Sequence, residues 1–139
     1  MSTEGPALPV GLDIAVAWGE QDLFGHVNNV VFFRWMENVR MHFLERVGLL
    51  HPRGEQAVSV ILASTTCHFK RPVHWPATLH IRTGAVHVGN TSFTLAYRLT
   101  DHEGALVAEG TSVQVVYDYD VGRKVPIPAS VRAAIATLA

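Results

Sequence analysis

A short segment of the chain contains the residues best suited to chemistry. Within residues 19–29 lie Asp22, Gly25, Asn28 and Asn29, and the polar and glycine content there predicts a loop. Either asparagine could cap a following helix, whose first turn has unpaired N–H groups and a positive dipole end. Such a helix end can stabilise the oxyanion of a carbonyl under attack, while Asp22 acts as nucleophile or as base for water. In the simpler interpretation, Asp22 only accepts loop hydrogen bonds and an asparagine only caps the helix.

The residues after this loop predict a long amphipathic helix. From Asn29 to Val47 large apolar side chains recur at steps of three and four, at Phe32, Trp35, Met36, Val39, Phe43 and Val47. Gly48 comes directly after them and is a suitable C-cap. The polar side carries Glu37, which is an alternative to Asp22 as the catalytic carboxylate. We expect Glu37 to form an exposed ion pair with Arg34 or Arg40 instead.

The rest of the chain has the two-residue alternation of β-strands. Strand patterns lie at 12–18, 57–70, 78–88, 91–101 and 105–117, with a bulge near Gly84 and a short last helix from Pro128. They predict an α+β fold, in which a curved, mainly antiparallel five-stranded sheet wraps a long central helix. We expect one domain, residues 11–139, after a flexible tail of residues 1–10.

Composition limits the partners and the location. The chain has 139 residues, a net charge of −1 and no long basic segment, so nucleic-acid binding is not expected. The sequence contains no uncharged apolar run of about 18 residues, so no membrane span is predicted. Cys67 is the single cysteine, which fits a reducing, cytoplasmic location, and its strand pattern indicates a core residue rather than a nucleophile. The histidines are scattered and no cofactor fingerprint is present, so we expect neither a metal nor a bound cofactor.

Residues 22–29 (DLFGHVNN), with residues 30–37 (VVFFRWME) and Arg40 after them, resemble the signature of the 4-hydroxybenzoyl-CoA thioesterase-like family of acyl-CoA thioesterases. Residues 68–72 (HFKRP) and 127–128 (IP) also match. The resemblance implies a hotdog fold, assembled as homodimers or homotetramers with active sites at the dimer interface. It also implies hydrolysis of an acyl-CoA to the free acid and coenzyme A, which is part of the substrate and not a cofactor.

The resemblance assigns roles to individual positions. Asp22 matches the catalytic carboxylate, Gly25 the turn glycine, and Asn29 the residue whose backbone N–H polarises the thioester carbonyl. His26 and Asn28 match motif positions with less direct roles; His26 could act as a base or stabilise the loop, and Asn28 could contact the substrate. Whether Asp22 attacks the carbonyl or activates water stays open at this point.

Two departures and two alternative functions qualify this assignment. Glu20 stands where many family members carry an aspartate, and Leu23 makes the loop less polar, although neither removes the carboxylate. His68 lies in a phrase that faintly resembles the His-Phe-Pro phrase of acyl-carrier-protein dehydratases, so a hydratase or dehydratase is one alternative. The other is a hotdog protein that binds acyl-CoA without turnover.

Basic and aromatic residues are candidates for binding the substrate. For the phosphates of coenzyme A we take Lys70 and Arg71 as candidates, with Arg123 and Lys124 as a second pair, although basic pairs of this kind more often form a solvated surface. Arg82 and Arg98 are weaker candidates. Phe32 could line an acyl pocket, as could Trp18, Phe24 and Phe33, although large aromatic side chains more often belong to the core. Apolar residues on both sides of residues 58–69 predict that a second copy of the chain covers this strand.

Overall fold

A computed structural model describes residues 7–50 and 57–138. Its elements in chain order are β1 (Val10–Ala15), α1 (Asn29–Val47), β2 (Val58–Phe69), β3 (Thr78–Val88), β4 (Ser92–Thr100), β5 (Leu106–Asp118), β6 (Arg123–Lys124) and α2 (Ala129–Leu138). This is the predicted α+β class. No helix in the described part of the chain is both long and apolar enough to cross a membrane.

The strands form one antiparallel sheet in the order β1-β3-β4-β5-β2, with β6 beside β5. The predicted bounds of β2 to β5 agree with the structure to within one residue. The predicted number of strands was wrong, because the chain turns at Gly122 (φ 79°) and adds β6 as a sixth strand. A strand of two residues is too short to produce an alternating sequence pattern. The bulge of β3 falls between Ala85 and His87, close to the predicted position.

α1 begins and ends at the predicted residues, and Gly48 follows it in a left-handed conformation with φ 90°. Its predicted apolar side is buried at Phe32, Trp35, Met36, Val39, Phe43 and Val47. These side chains form one core with the inner sides of the strands, for example through the ring contact of Phe43 with Phe93 on β4. The sequence period of α1 therefore selects the side that faces the sheet.

The expected ion pair of Glu37 is formed with Arg40, at 3.9 Å, but it is exposed only on the side of Glu37. Arg40 is only 6% exposed, and its guanidinium also donates to the Tyr97 hydroxyl at 3.3 Å. A buried guanidinium needs hydrogen-bond acceptors, and Tyr97 supplies one. The helical periodicity of the sequence does not predict this contact, because Tyr97 lies more than fifty residues away from Arg40.

The N-terminal strand also differs from the prediction. β1 starts at Val10 and ends at Ala15, whereas the alternation predicted a strand as far as Trp18. Residues 18–20 instead form a 3-10 turn, which Glu20 stabilises by accepting a hydrogen bond from the Ala17 N–H at 2.7 Å. Leu8 is buried, and residues 1–6 of the predicted tail lie outside the described residues. The single-domain boundaries stay a prediction.

Candidate active site

The segment between the 3-10 turn and α1 is a tight loop closed by backbone hydrogen bonds. Gln21 and Val27 form an antiparallel bridge, and the Asp22 N–H donates to the His26 carbonyl at 2.7 Å. Gly25 has φ 76°, a backbone conformation that residues with a Cβ rarely adopt. Its N–H donates to the Asp22 carbonyl at 3.1 Å. The role of Gly25 as the turn glycine of this loop follows from this geometry.

The carboxylate of Asp22 is held by one of its two oxygens. Oδ1 accepts hydrogen bonds from the backbone N–H groups of Phe24 at 2.8 Å and His26 at 3.3 Å. Among the described residues, Oδ2 has no hydrogen-bond partner, and the side chain is exposed. One oxygen therefore fixes the orientation of the carboxylate, and the other is free to contact a bound group.

α1 begins beside this carboxylate with one capped and one open N–H group. The Asn28 side chain accepts a hydrogen bond from the Val30 N–H at 3.0 Å, which makes it the N-cap. Within the described part of the chain, the N–H of Asn29 has no partner. The open N–H and the dipole of a 19-residue helix together favour a negative charge at this position.

Glu20 attaches the loop to its surroundings. Its carboxylate accepts a hydrogen bond from the Arg34 guanidinium on α1 at 2.6 Å, in addition to the one from Ala17. Its backbone carbonyl accepts a hydrogen bond from the Asn28 N–H at 2.9 Å. These contacts give Glu20 a structural role, which explains how this position tolerates glutamate.

One cavity of about 220 Å³ brings most of the predicted site residues together. The predicted residues that line it are Asp22, His26, Asn29, Phe32, Lys70 and Arg71, joined by Val27, Phe69, Pro72 and Val73. Phe32 is buried and lies edge-on against Phe69, with ring centroids 5.1 Å apart. Gly25 and Asn28 do not line the cavity; they shape the loop and the helix end.

The two basic residues of the cavity form only long ion pairs. Nζ of Lys70 lies 3.7 Å from the Glu109 carboxylate, and the Arg71 guanidinium lies 3.9 Å from Asp101. Hydrogen bonds from the backbone N–H groups of Ala105 and Glu103 lower the pKa of Asp101, to which nearby His102 and Arg71 add smaller effects. Asp101 is thus held as a carboxylate mainly by its own turn, and only weakly by Arg71.

Several sequence candidates lie elsewhere. Arg123 and Lys124 form β6, and Arg82 donates to the carbonyls of Leu8 and Pro9. His68 and Arg98 line a different cavity, with Glu109 between them in the sheet register. The cavity at Asp22 is not lined by Trp18, Phe24, Phe33 or Glu37. In the described part of the chain, no three His, Cys, Asp or Glu side chains are grouped so that they could hold a metal ion.

Sequence reasoning missed the two residues that connect this loop to the segment between β2 and β3. The Val27 N–H donates to the Val73 carbonyl at 2.7 Å. Nδ1 of His74 lies 3.0 Å from the Gly25 carbonyl oxygen, and its ring lies edge-on to His26 with centroids 4.8 Å apart. The available signal was their position directly after the matching residues 68–72.

Comparisons with known proteins agree with this arrangement. A family model described as the thioesterase-like superfamily matches residues 16–135. The protein YsmA of Bacillus subtilis (strain 168) is 31% identical over 112 residues, 81% of this chain and 75% of YsmA. Among solved structures, the PA2801 protein of Pseudomonas aeruginosa superposes with a TM-score of 0.83 at 30% identity, covering 93% of this chain and 99% of PA2801. A thioesterase of Thermus thermophilus, complexed with coenzyme A and zinc, superposes with a TM-score of 0.82 at 27% identity over 94% of each chain.

The chain therefore belongs to the thioesterase-like superfamily and has its hotdog fold. The predicted family is confirmed, and with it the class of thioesterases. The match includes the Asp22 loop, the start of α1, and the end of β2 with the connection after it, which together line the cavity.

Proposed function

We propose that this protein hydrolyses an acyl-CoA thioester to the free acid and coenzyme A, with Asp22 as the catalytic carboxylate. The observation that carries the proposal is the single cavity lined by Asp22, Asn29, Lys70 and Arg71. A thioester bound there would meet a carboxylate, an open N–H donor and two cations. These are the groups that attack on the carbonyl, stabilisation of the oxyanion and binding of phosphates require.

Two routes fit the free Oδ2 of Asp22 equally well. In the nucleophilic route, Oδ2 attacks the carbonyl carbon, the C–S bond breaks with the coenzyme A thiolate as leaving group, and water hydrolyses the resulting mixed anhydride. In the general-base route, Oδ2 takes a proton from a water molecule that attacks the carbonyl, and the same C–S bond breaks. In both routes the thiolate is protonated afterwards.

The start of α1 is the proposed oxyanion site. The Asn29 N–H has no partner among the described residues and can donate to the carbonyl oxygen as it becomes negative. Asn28 contributes indirectly, because its cap on the Val30 N–H fixes the first turn of the helix. We assign His26 to the wall of the cavity, where it contacts the substrate or holds the loop.

Lys70 and Arg71 are proposed to bind the phosphates of coenzyme A. Their side chains are 46% and 59% exposed, and such long, solvated ion pairs contribute little to the stability of the fold. A phosphate can replace the carboxylate partners with shorter, charge-assisted hydrogen bonds. The similar Thermus thermophilus thioesterase was solved with coenzyme A, which supports a ligand of this type. Phe32 and Phe69 are the proposed contacts for the acyl group.

We further propose that the working unit is a homodimer or homotetramer. β2 is the last long strand of the sheet and pairs only with β5 among the described strands. Its apolar side chains Ile61 and Leu62 are 40% and 41% exposed. Leu23 and Phe24 of the catalytic loop are 99% and 81% exposed. A second copy that covers both surfaces would also complete the wall of the cavity. A cytoplasmic location and the absence of a further cofactor belong to the same proposal.

Thiol release from a panel of acyl-CoAs tests the proposal. The panel contains aromatic, short-chain and long-chain thioesters, together with one acyl-carrier-protein thioester. We expect wild type to cleave at least one coenzyme A thioester, and Asp22→Asn to lower kcat for it by about 100-fold or more, because the amide is neither nucleophile nor base.

Glu37→Gln is the matched control, since it makes the same chemical change at an exposed carboxylate outside the cavity. It should keep kcat near the wild-type value. Equal activity of Asp22→Asn and wild type would refute the assignment of Asp22. Binding of acyl-CoA without any thiol release would refute hydrolysis and favour a binding protein.

A further inference from the structure

The Asp22 loop is attached to the segment between β2 and β3 by a histidine. Apart from Val27, residues 22–27 are exposed or half-buried, so packing alone holds them weakly. Among the described residues, His74 is the only one outside this loop whose side chain forms a hydrogen bond with it. Its partner is the Gly25 carbonyl, at 3.0 Å. Because a carbonyl oxygen can only accept, Nδ1 of His74 carries the hydrogen.

The Gly25 carbonyl belongs to the peptide unit that also holds Asp22. The C=O of Gly25 and the N–H of His26 lie in one planar peptide group and point in opposite directions. The His26 N–H is one of the two donors to Oδ1 of Asp22, at 3.3 Å. A donor that fixes the carbonyl therefore fixes the direction of this N–H, and it also polarises the peptide so that the N–H donates more strongly.

We propose that His74 is a positioning residue for Asp22: its hydrogen bond to Gly25 fixes the Gly25–His26 peptide plane, which orients the carboxylate. The edge-on contact between the rings of His74 and His26, with centroids 4.8 Å apart, is a second contact of His74 with the same two residues. This inference rests on the proposed role of Asp22 and adds a residue to it.

His74 acts from outside the catalytic cavity. It lines a neighbouring cavity of about 380 Å³, on the other side of the shared wall formed by Arg71, Pro72 and Val73. Its ring is exposed, so its removal takes little from the core. The expected effect is therefore on the orientation of Asp22, which appears in kcat, and neither on substrate binding nor on folding.

Steady-state kinetics of three variants test the proposal on the best acyl-CoA of the panel. We expect His74→Ala to lower kcat by about tenfold or more, since small displacements of a catalytic group are costly, with KM within about twofold of wild type. His74→Asn should recover most of kcat, because its Nδ2, like Nδ1 of histidine, is bonded to Cγ and can donate to the Gly25 carbonyl. His102→Ala is the control: it removes an exposed histidine of the same neighbouring cavity that has no bond to the loop.

A double-mutant cycle separates this inference from the role of Asp22. If His74 acts through Asp22, His74→Ala should cause no further loss of kcat in an Asp22→Asn background. Wild-type kcat in His74→Ala, or an asparagine variant no better than alanine, would overturn the role of His74. Full activity of Asp22→Asn alone would instead overturn the proposed function, so the two failures are distinguishable.

Discussion

Asp22 and Asn28 use the same local interaction for two different purposes. Each accepts a hydrogen bond from the backbone N–H two residues further along, Phe24 at 2.8 Å and Val30 at 3.0 Å. For Asn28 this bond satisfies a donor at the start of α1. For Asp22 it anchors one oxygen of a carboxylate and leaves the second without a partner among the described residues, at a residue that lines the cavity. The amide of Asn28 has one oxygen and is used up as a cap, whereas the carboxylate of Asp22 has a second oxygen that makes it a candidate catalytic group.

The cap predicts a measurable contribution of Asn28 to stability. Asn28→Ala should lower the free energy of unfolding by about 1 kcal/mol, because the Val30 N–H loses its acceptor. Asn28→Asp keeps an acceptor and places a negative charge at the positive end of the helix, so it should unfold near the wild-type urea concentration. Urea unfolding followed by circular dichroism compares the three proteins. Equal stability of Asn28→Ala and wild type would contradict the cap.

Cys67 is predicted to be chemically inert in the folded protein. Burial raises the pKa of its thiol from 9.0 to about 11. At pH 8 the reactive thiolate is then about a hundredfold scarcer than in an unfolded chain. Reaction with Ellman's reagent should be slow in buffer, and fast for the same protein in concentrated urea. Similar rates in the two solvents would contradict the burial of this thiol.

At the scale of elements, Gly110 on β5 lies where β5 comes close both to β2 and to α1. A Cβ there would overlap the Thr66 carbonyl oxygen on β2 and would stand 3.0 Å from Cε of Met36 on α1. Glycine at this position lets β2 pair with β5 while α1 packs across them. Because α1 begins directly after the Asp22 loop, this contact also limits where the first turn of the helix can lie.

Gly110→Ala is therefore expected to destabilise the fold. An added methyl group must displace backbone on β2, and overpacking of this kind costs about 1–3 kcal/mol. Gly19→Ala makes the same change where a Cβ would meet nothing within 4 Å, so it should leave the unfolding midpoint nearly unchanged. Thermal and urea unfolding measure both variants. Equal stability of the two variants would show that the contact with Thr66 has no energetic weight.

At the scale of the whole molecule, β2 and the Asp22 loop carry part of the apolar surface that the described chain does not cover. The outer residues of β2 and the tip of the Asp22 loop expose large aliphatic and aromatic side chains. The Asp22 cavity includes Phe69, the last residue of β2. Association along β2 and completion of the site are thus expected to be one event.

A charge on β2 should separate the subunits. Leu62→Lys places an ammonium group on the proposed interface, where its burial without a partner is costly, so we expect a monomer by sedimentation velocity and a loss of thioesterase activity. Val86→Lys is the control, because Val86 has a similar exposure (42% against 41%) and lies on β3 instead. A monomeric wild type, or a Leu62→Lys variant that still dimerises, would contradict association through β2.

The sequence by itself determined the long elements, apart from the bounds of β1, and the identity of the loop residues. The bounds of α1 and of β2 to β5 follow from periods and caps, which are local properties of the chain. The long match of residues 22–29 with a known family pointed to Asp22, Gly25 and Asn29. Each of these inferences needs only residues that are neighbours in the sequence.

Only the tertiary structure decided which distant residues meet this loop. His74 and Val73 contact residues almost fifty positions away, and Arg40 finds Tyr97 across the core. No periodic pattern encodes such pairs, because they depend on how the strands align in the sheet and where the β2–β3 connection passes. The structure also separated Lys70 and Arg71 from Arg123 and Lys124, which their sequence context could only rank. These contacts join residues that are far apart in the sequence, and the folded arrangement of the sheet and of the β2–β3 connection brings them together.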